Sequence, residues 1–161
     1  MMLVNHLVVS LTGWHALSQS GVLPELANVE PWTYSLVALG TALPDIDHPD
    51  STIGSRVKWL SWPIRIVFGH RNITHSLIAM AALAYMVHLE PLLISVAFGY
   101  LLHLVGDWFT PAGLKLFWPA QRVYRSPLTI PTNSIAEYLF VWGTSALALT
   151  ALHTAWRPNR F

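Results

Sequence analysis

The run Leu43-Pro44-Asp45-Ile46-Asp47-His48 sets two carboxylates and an imidazole within four consecutive residues. Oxygen and nitrogen donors so mixed suit a borderline divalent cation such as zinc, manganese or iron. Asp45 and Asp47 would point to different faces of a continuous helix but to one side of an extended segment. The backbone is therefore expected to leave the helix near Pro44. The plainer reading is a helix end with solvated Asp residues, although acidic side chains there oppose the helix dipole. His103 and Asp107 stand four residues apart, a spacing that puts both on one helical face at a separation fit for two ligands of one ion. A buried His hydrogen-bonded to an Asp would share that spacing. The segment Gly69-His70-Arg71-Asn72-Ile73-Thr74-His75-Ser76 adds two imidazoles, an Arg suited to phosphate or carboxylate, and Asn72 or Thr74 as a helix N-cap. Helix N-termini also attract anions. His6 and Glu137 complete the set, each with a plain alternative: His6 as a surface residue, Glu137 as the acidic partner of a helix start after Ser134.

The elements that must carry these residues are read from composition. Of 161 residues, 53% are hydrophobic and 11% charged, against roughly 25% charged in a soluble domain. With a formal net charge of only +1, a nucleic-acid module built on a basic patch is excluded, and no nucleic acid is expected as a stable partner. Eight Trp, five Tyr and six Phe fit a chain that meets membrane interfaces. There is no Cys, so any metal must be held by nitrogen and oxygen. The first fifteen residues lack a cationic start, which predicts a retained N-terminus.

Five apolar stretches follow: Leu3 to Leu17, Trp32 to Leu43, Ile73 to Leu89, Leu92 to Phe109, and Ile135 to Trp156. The expected fold is all-α, one membrane-embedded bundle over 1–161 of about five helices, at least three of them spanning. The segment Gly21 to Pro31 holds Glu25 and Glu30 and no Lys or Arg. By contrast, Arg56, Lys58, Arg65 and Arg71 lie in the loop Pro49 to Arg71, and Lys115, Arg122 and Arg125 in the loop Thr110 to Asn133. The excess of cations places both loops in the cytoplasm, with Arg157 and Arg160 outside. Around Trp59, Trp62, Ile64, Ile66, Val67 and Phe68 the first of these loops is amphipathic enough to lie in the interface. On this arrangement His6, Asp45, Asp47, His48, His70, His75, His103, Asp107 and Glu137 gather at the cytoplasmic end of the bundle. His15 lies about 13 Å along the helix from His6 and is set aside with His88 and His153.

The blocks Gly40-Thr41-Ala42-Leu43-Pro44-Asp45-Ile46-Asp47-His48-Pro49, Gly69 to Ser76, Gly99 through His103 to Asp107, and Thr110-Pro111-Ala112-Gly113 to Trp118-Pro119 occur in one order behind His6. In these blocks the chain resembles the YdjM-like family of LexA-regulated bacterial inner-membrane proteins, described as metal-dependent hydrolases. Asn72 stands where the family has Gly, and its tolerance of a left-handed backbone predicts that the turn is kept. A more distant likeness, in His6, Asp45, His75 and the His103/Asp107 pair, is to the zinc-dependent phospholipase C and single-strand nuclease superfamily. The resemblance implies a multi-pass protein of the bacterial inner membrane.

Together these readings predict a divalent ion, zinc before manganese or iron, in one or two copies, held among His6, Asp45, Asp47, His48, His70, His75, His103 and Asp107. Zinc would bring a bound water near neutral pKa for attack on a phosphoester or phospholipid-like substrate. Arg71 would offset developing charge, and Asp47 or Glu137 would take the water's proton. The competing functions are a small divalent-metal or proton-coupled transporter, since intramembrane Asp and His serve such pathways, and a non-catalytic membrane protein stapled by its metal.

Overall fold

The computed structural model describes residues 1–20 and 30–155. Glu25, Trp156, Arg157 and Arg160 lie outside the described residues. Among the described residues there are six α-helices: α1 (Leu3–Gln19), α2 (Thr33–Ala42), α3 (Lys58–Phe68), α4 (Leu77–Leu89), α5 (Ile94–Trp108) and α6 (Ile135–Ala155). Three short 3₁₀ turns, Leu43–Asp47, Ile73–His75 and Pro91–Leu93, extend α2 and lead into α4 and α5. Among the described residues there is no sheet, only an isolated bridge between Leu114 and Tyr124.

Two segments among the described residues are long and apolar enough to cross a membrane, Pro91–Trp108 and Ile135–Thr154, each with mean hydropathy 1.4. α4 is as apolar but has 13 residues, about 20 Å of helix against a hydrocarbon layer of about 30 Å. The sixth helix beyond the expected five is α3, which replaces part of the basic loop expected between Pro49 and Arg71. Its sequence leaves Trp59, Trp62, Ile66 and Val67 exposed on adjoining positions, while Ser61 turns inward.

α5 is the axis of the bundle, packed by α1, α2 and α4, whereas α6 lies against α1. The apolar core gathers on α5 as Val96, Tyr100 and Leu104, joined by Leu83 of α4 and Leu114. On its α2 side α5 carries Gly99, and α2 carries Gly40. A Cβ on Gly40 would stand 2.0 Å from the carbonyl oxygen of Val96, and one on Gly99 2.1 Å from that of Val37. Such backbone approach is possible only where one of the two residues has no side chain, the means by which membrane helices pack tightly without a hydrophobic drive between them.

Gly99→Ala should therefore destabilise the protein by about 1–3 kcal/mol, despite alanine's better helix propensity. Gly143→Ala is the control, because nothing lies within 4 Å of its added Cβ. Thermal unfolding in detergent should show a lowered midpoint for the first variant and an unchanged or raised one for the second.

Candidate metal centre

The close seating of α2 on α5 decides how the first imidazole is held. His103 faces the end of α2, and its Nδ1 lies 2.7 Å from the carbonyl oxygen of Thr41. Pro44, three residues after Thr41, has no N–H to give that carbonyl in the 3₁₀ turn, so the oxygen is open to a side chain. A carbonyl only accepts, so Nδ1 carries the proton and Nε2 keeps a lone pair.

The second imidazole is fixed through a hydroxyl. Thr74 Oγ1 donates to Asp47 Oδ2 at 2.6 Å and lies 3.0 Å from His75 Nδ1. With its proton engaged by Asp47, the hydroxyl can only accept from His75, which again leaves Nε2 with its lone pair. His6 supplies a third ring, stacked on that of His103 with centroids 3.9 Å apart and planes 8° from parallel.

These rings close around one carboxylate. Asp107 Oδ1 lies 3.2 Å from His6 Nε2, and Oδ2 lies 3.5 Å from His75 Nε2 and 3.7 Å from His103 Nε2. Asp45 Oδ1 is 3.9 Å from His75 Nε2 and 3.8 Å from His103 Nε2. The triads His6, His103, Asp107 and Asp45, His75, His103 each offer ligand atoms within 4.8 Å of one another. The Nε2 atoms of all three His residues and Asp107 Oδ2 are buried without a hydrogen-bond partner among the described residues. Asp107 is charge-compensated on both oxygens, by the amino group of Met1 at 2.9 Å and by Arg71 at 2.7 Å. Asp45 and Arg71, each about one-quarter exposed, form the open side.

Other residues expected to act directly sit one layer out. Asp47 is fully buried and accepts from His70 Nδ1, the Arg71 backbone N–H and Thr74, each bond within 2.8 Å. Burial pushes its carboxyl up, but the His70 and Thr74 bonds outweigh it and hold the group below the usual range. His75 is shifted down, chiefly by burial against the pull of Asp107, and so is neutral as a ligand must be. His70 lies at the edge, and His48 meets it edge-on at 4.6 Å while its Nδ1 accepts the Asp50 backbone N–H at 3.2 Å. Glu137 is committed elsewhere. Its oxygens accept from the Met2 N–H at 2.7 Å, Asn5 Nδ2 at 2.8 Å and the Asn133 N–H at 2.6 Å, pinning the start of α1 to the start of α6.

Three local expectations are corrected. Residues 43–47 form a 3₁₀ turn rather than an extended strand, because proline is at home in its first positions. Asp45 and Asp47 consequently diverge, one to the imidazoles and the other to the 70–74 loop. The left-handed residue is Arg71 (φ 55°) and not Asn72 (φ −103°), whose amide instead bonds the Phe68 carbonyl and accepts from Lys115. Asn72 takes the N-cap position of the 3₁₀ turn Ile73–His75 but makes no side-chain capping bond there, and the N-cap position of α4 is Ser76 rather than Thr74. Set aside with reason, His15 contacts Tyr34 Oη at 3.0 Å, and His88 and His153 are exposed.

The sequence reading missed the Thr41 carbonyl, the Thr74 hydroxyl as a relay, and Gly106. A Cβ on Gly106 would stand 2.7 Å from His6 Nδ1, so this glycine makes room for the His6 ring. Gly106 beside Asp107 was the available signal.

A family model described as YdjM inner membrane protein matches residues 1–159. The chain belongs to the YdjM family. It is 37% identical over 153 residues to Inner membrane protein YdjM of Escherichia coli (strain K12), covering 85% of this chain and 78% of that protein. The same figures hold for Inner membrane protein YdjM of Shigella flexneri. The protein YvsG of Bacillus subtilis (strain 168) is 34% identical over 110 residues, covering 66% of this chain and 69% of its own. No solved structure matches the chain. Membership makes this a protein of the bacterial inner membrane, in agreement with the two long apolar helices.

Two outcomes test the geometry of this YdjM-family cluster. Thr74→Val, which removes the link between Asp47 and His75, should weaken divalent-metal binding 10–100-fold by titration calorimetry while leaving helix content unchanged. Without metal, stability should fall on acidification. Unfolded His takes a proton near 6.5 and unfolded Asp near 3.9, while the folded His75 and Asp47 resist to lower pH. Thermal midpoints measured from pH 8 to 4 should decline, with the decline between 7 and 5 reduced in His75→Gln.

Proposed function

We propose that this protein is a membrane-bound hydrolase that uses one divalent ion, zinc by preference, to cleave a phosphoester in a lipid-like substrate. The observation that carries the reading is the set of three buried Nε2 atoms that face the Asp107 carboxylate, none of them in a hydrogen bond among the described residues. Buried polar atoms left unpaired are costly, and a cation among them removes the cost. The donor chemistry fits: imidazoles whose Nδ1, in His75 and His103, is engaged in a hydrogen bond, plus carboxylates, is the usual surrounding of zinc.

His75, His103, Asp45 and Asp107 would hold the ion, with His6 at the same carboxylate. One ion is favoured over two, since both candidate triads need His103 and its Nδ1 is already spent on Thr41. Bound there, zinc supplies acidity to water and polarises a phosphoryl oxygen. Arg71, at the open side, can exchange Asp107 for a substrate phosphate. Three donors on Asp47 and three on Glu137 support positioning roles for both, Asp47 through the 70–75 loop and Glu137 through the N-terminal end of α1. The reading also places the cluster at the cytoplasmic side, on the strength of Arg56, Lys58, Arg65, Lys115, Arg122 and Arg125 in the neighbouring segments.

Protein purified without a His tag should contain about one zinc per chain by mass spectrometry. His75→Ala and His103→Ala should lose it, while His88→Ala should keep it. Purified wild type offered a panel of phospholipids and phosphodiesters should release product in a chelator-sensitive way, and His103→Ala should not. Metal-dependent uptake into proteoliposomes without turnover would replace the hydrolase reading by transport. For the orientation, single cysteines at the exposed positions Ser55 and Leu128 should be protected from an impermeant reagent in intact cells.

A further inference from the structure

A cavity of about 220 Å³ lies between α1, α5 and α6, directly behind the cluster. At one end it is lined by Met1, whose amino group holds Asp107, and by Gly106, the neighbour of Asp107. From there it follows α6 past Glu137, Val141 and Thr144, with Val9 and Val105 on the opposite walls. The Glu137 carboxylate in that wall already accepts from Asn5 Nδ2, the Met2 N–H and the Asn133 N–H, so it is not left bare toward the cavity.

We propose that this cavity receives one acyl chain of a membrane phospholipid, with the phosphate at the Asp107 and Arg71 end. The proposal rests on the hydrolase reading above and names its substrate class: a two-chain phospholipid rather than a soluble phosphoester. Size selects the occupant. From Glu137 to Thr144 the helix advances about 10 Å, and over that length a cavity of about 220 Å³ is too narrow for a helix about 10 Å across and suits a single flexible chain. Location selects it as well. Two walls of the cavity are α5 and α6, the long apolar helices, and Val105 and Phe140 are about two-fifths exposed, which opens the cavity to the hydrocarbon layer. Charge matches beyond the Met1 and Gly106 end, where Asp107, next to Gly106, pairs with Arg71, one-quarter exposed and able to exchange that carboxylate for a phosphate.

The experiment uses the full chain in nanodiscs with phosphatidylglycerol spin-labelled on its acyl chain, and reads the motionally restricted fraction by electron paramagnetic resonance. Val105→Trp and Thr144→Trp fill the cavity from partly exposed positions that should tolerate the larger ring. Leu139→Trp, 70% exposed and outside the lining, is the control. Zinc is measured on every sample. The restricted fraction should fall at least twofold in both filled variants and stay unchanged in the control. An unchanged fraction in the filled variants, with zinc present, overturns the acyl-chain assignment while leaving the metal reading intact. A fall in the restricted fraction from protein that never holds zinc supports the chain site and overturns the hydrolase reading beneath it. An equal fall in the Leu139→Trp control overturns the assignment as well, because boundary lipid would then account for the signal.

Discussion

A carboxylate with no solvent exposure at the end of a membrane-embedded helix must be answered by charge or by hydrogen bonds, and Asp107 draws its answer from the whole molecule. Arg71 arrives from the loop after α3, the Met1 amino group from the start of α1, and the imidazoles of His6, His75 and His103 from three separate elements. Each of these groups is costly to bury alone. Together they compensate one another, and the helices that carry them are thereby held in register at one end of the bundle.

That compensation needs short distances, and the distances are set by backbone contact between α2 and α5. Gly40 and Gly99 let the two helices touch, which brings the Thr41 carbonyl to His103 and swings the turn after α2 over the imidazoles. The Asp47 to Thr74 to His75 relay then ties that turn to the start of α4. Proton positions on two rings follow from these bonds without any choice left to the rings, and both point a lone pair inward. On the proposed reading, a site so oriented would be prepared for a cation before one binds.

The periphery follows the same economy of polar groups. Glu137 closes the junction between α1 and α6 by accepting from Met2, Asn5 and Asn133, so α6 can lie along α1 with an otherwise apolar flank. The cavity between them inherits that apolar wall and ends at the charged cluster. α3, with its exposed Trp and aliphatic positions, adds an apolar surface at the same end as the basic residues of its loop.

Residue types and apolar run lengths alone determined that the chain is all-helical, lives in a membrane, and brings His and Asp from distant segments to one end, because hydropathy and helical rise depend on local sequence. Family membership was legible for the same reason, in ordered short blocks. What a side chain does within the cluster was decided by tertiary contact. Asp45 and Asp47 are two residues apart and look equivalent in the sequence, yet a 3₁₀ turn sends one to the imidazoles and the other to three hydrogen-bond donors. Glu137 reads as a candidate acid or base until the N-terminal end of α1 is seen to occupy one of its oxygens and the Asn133 N–H the other. Pro44 leaves the Thr41 carbonyl free, but the sequence does not say which group would use it. Only the packing of α2 on α5 distinguishes it, because a backbone oxygen gains a function when a helix end leaves it free and another helix comes close enough to use it.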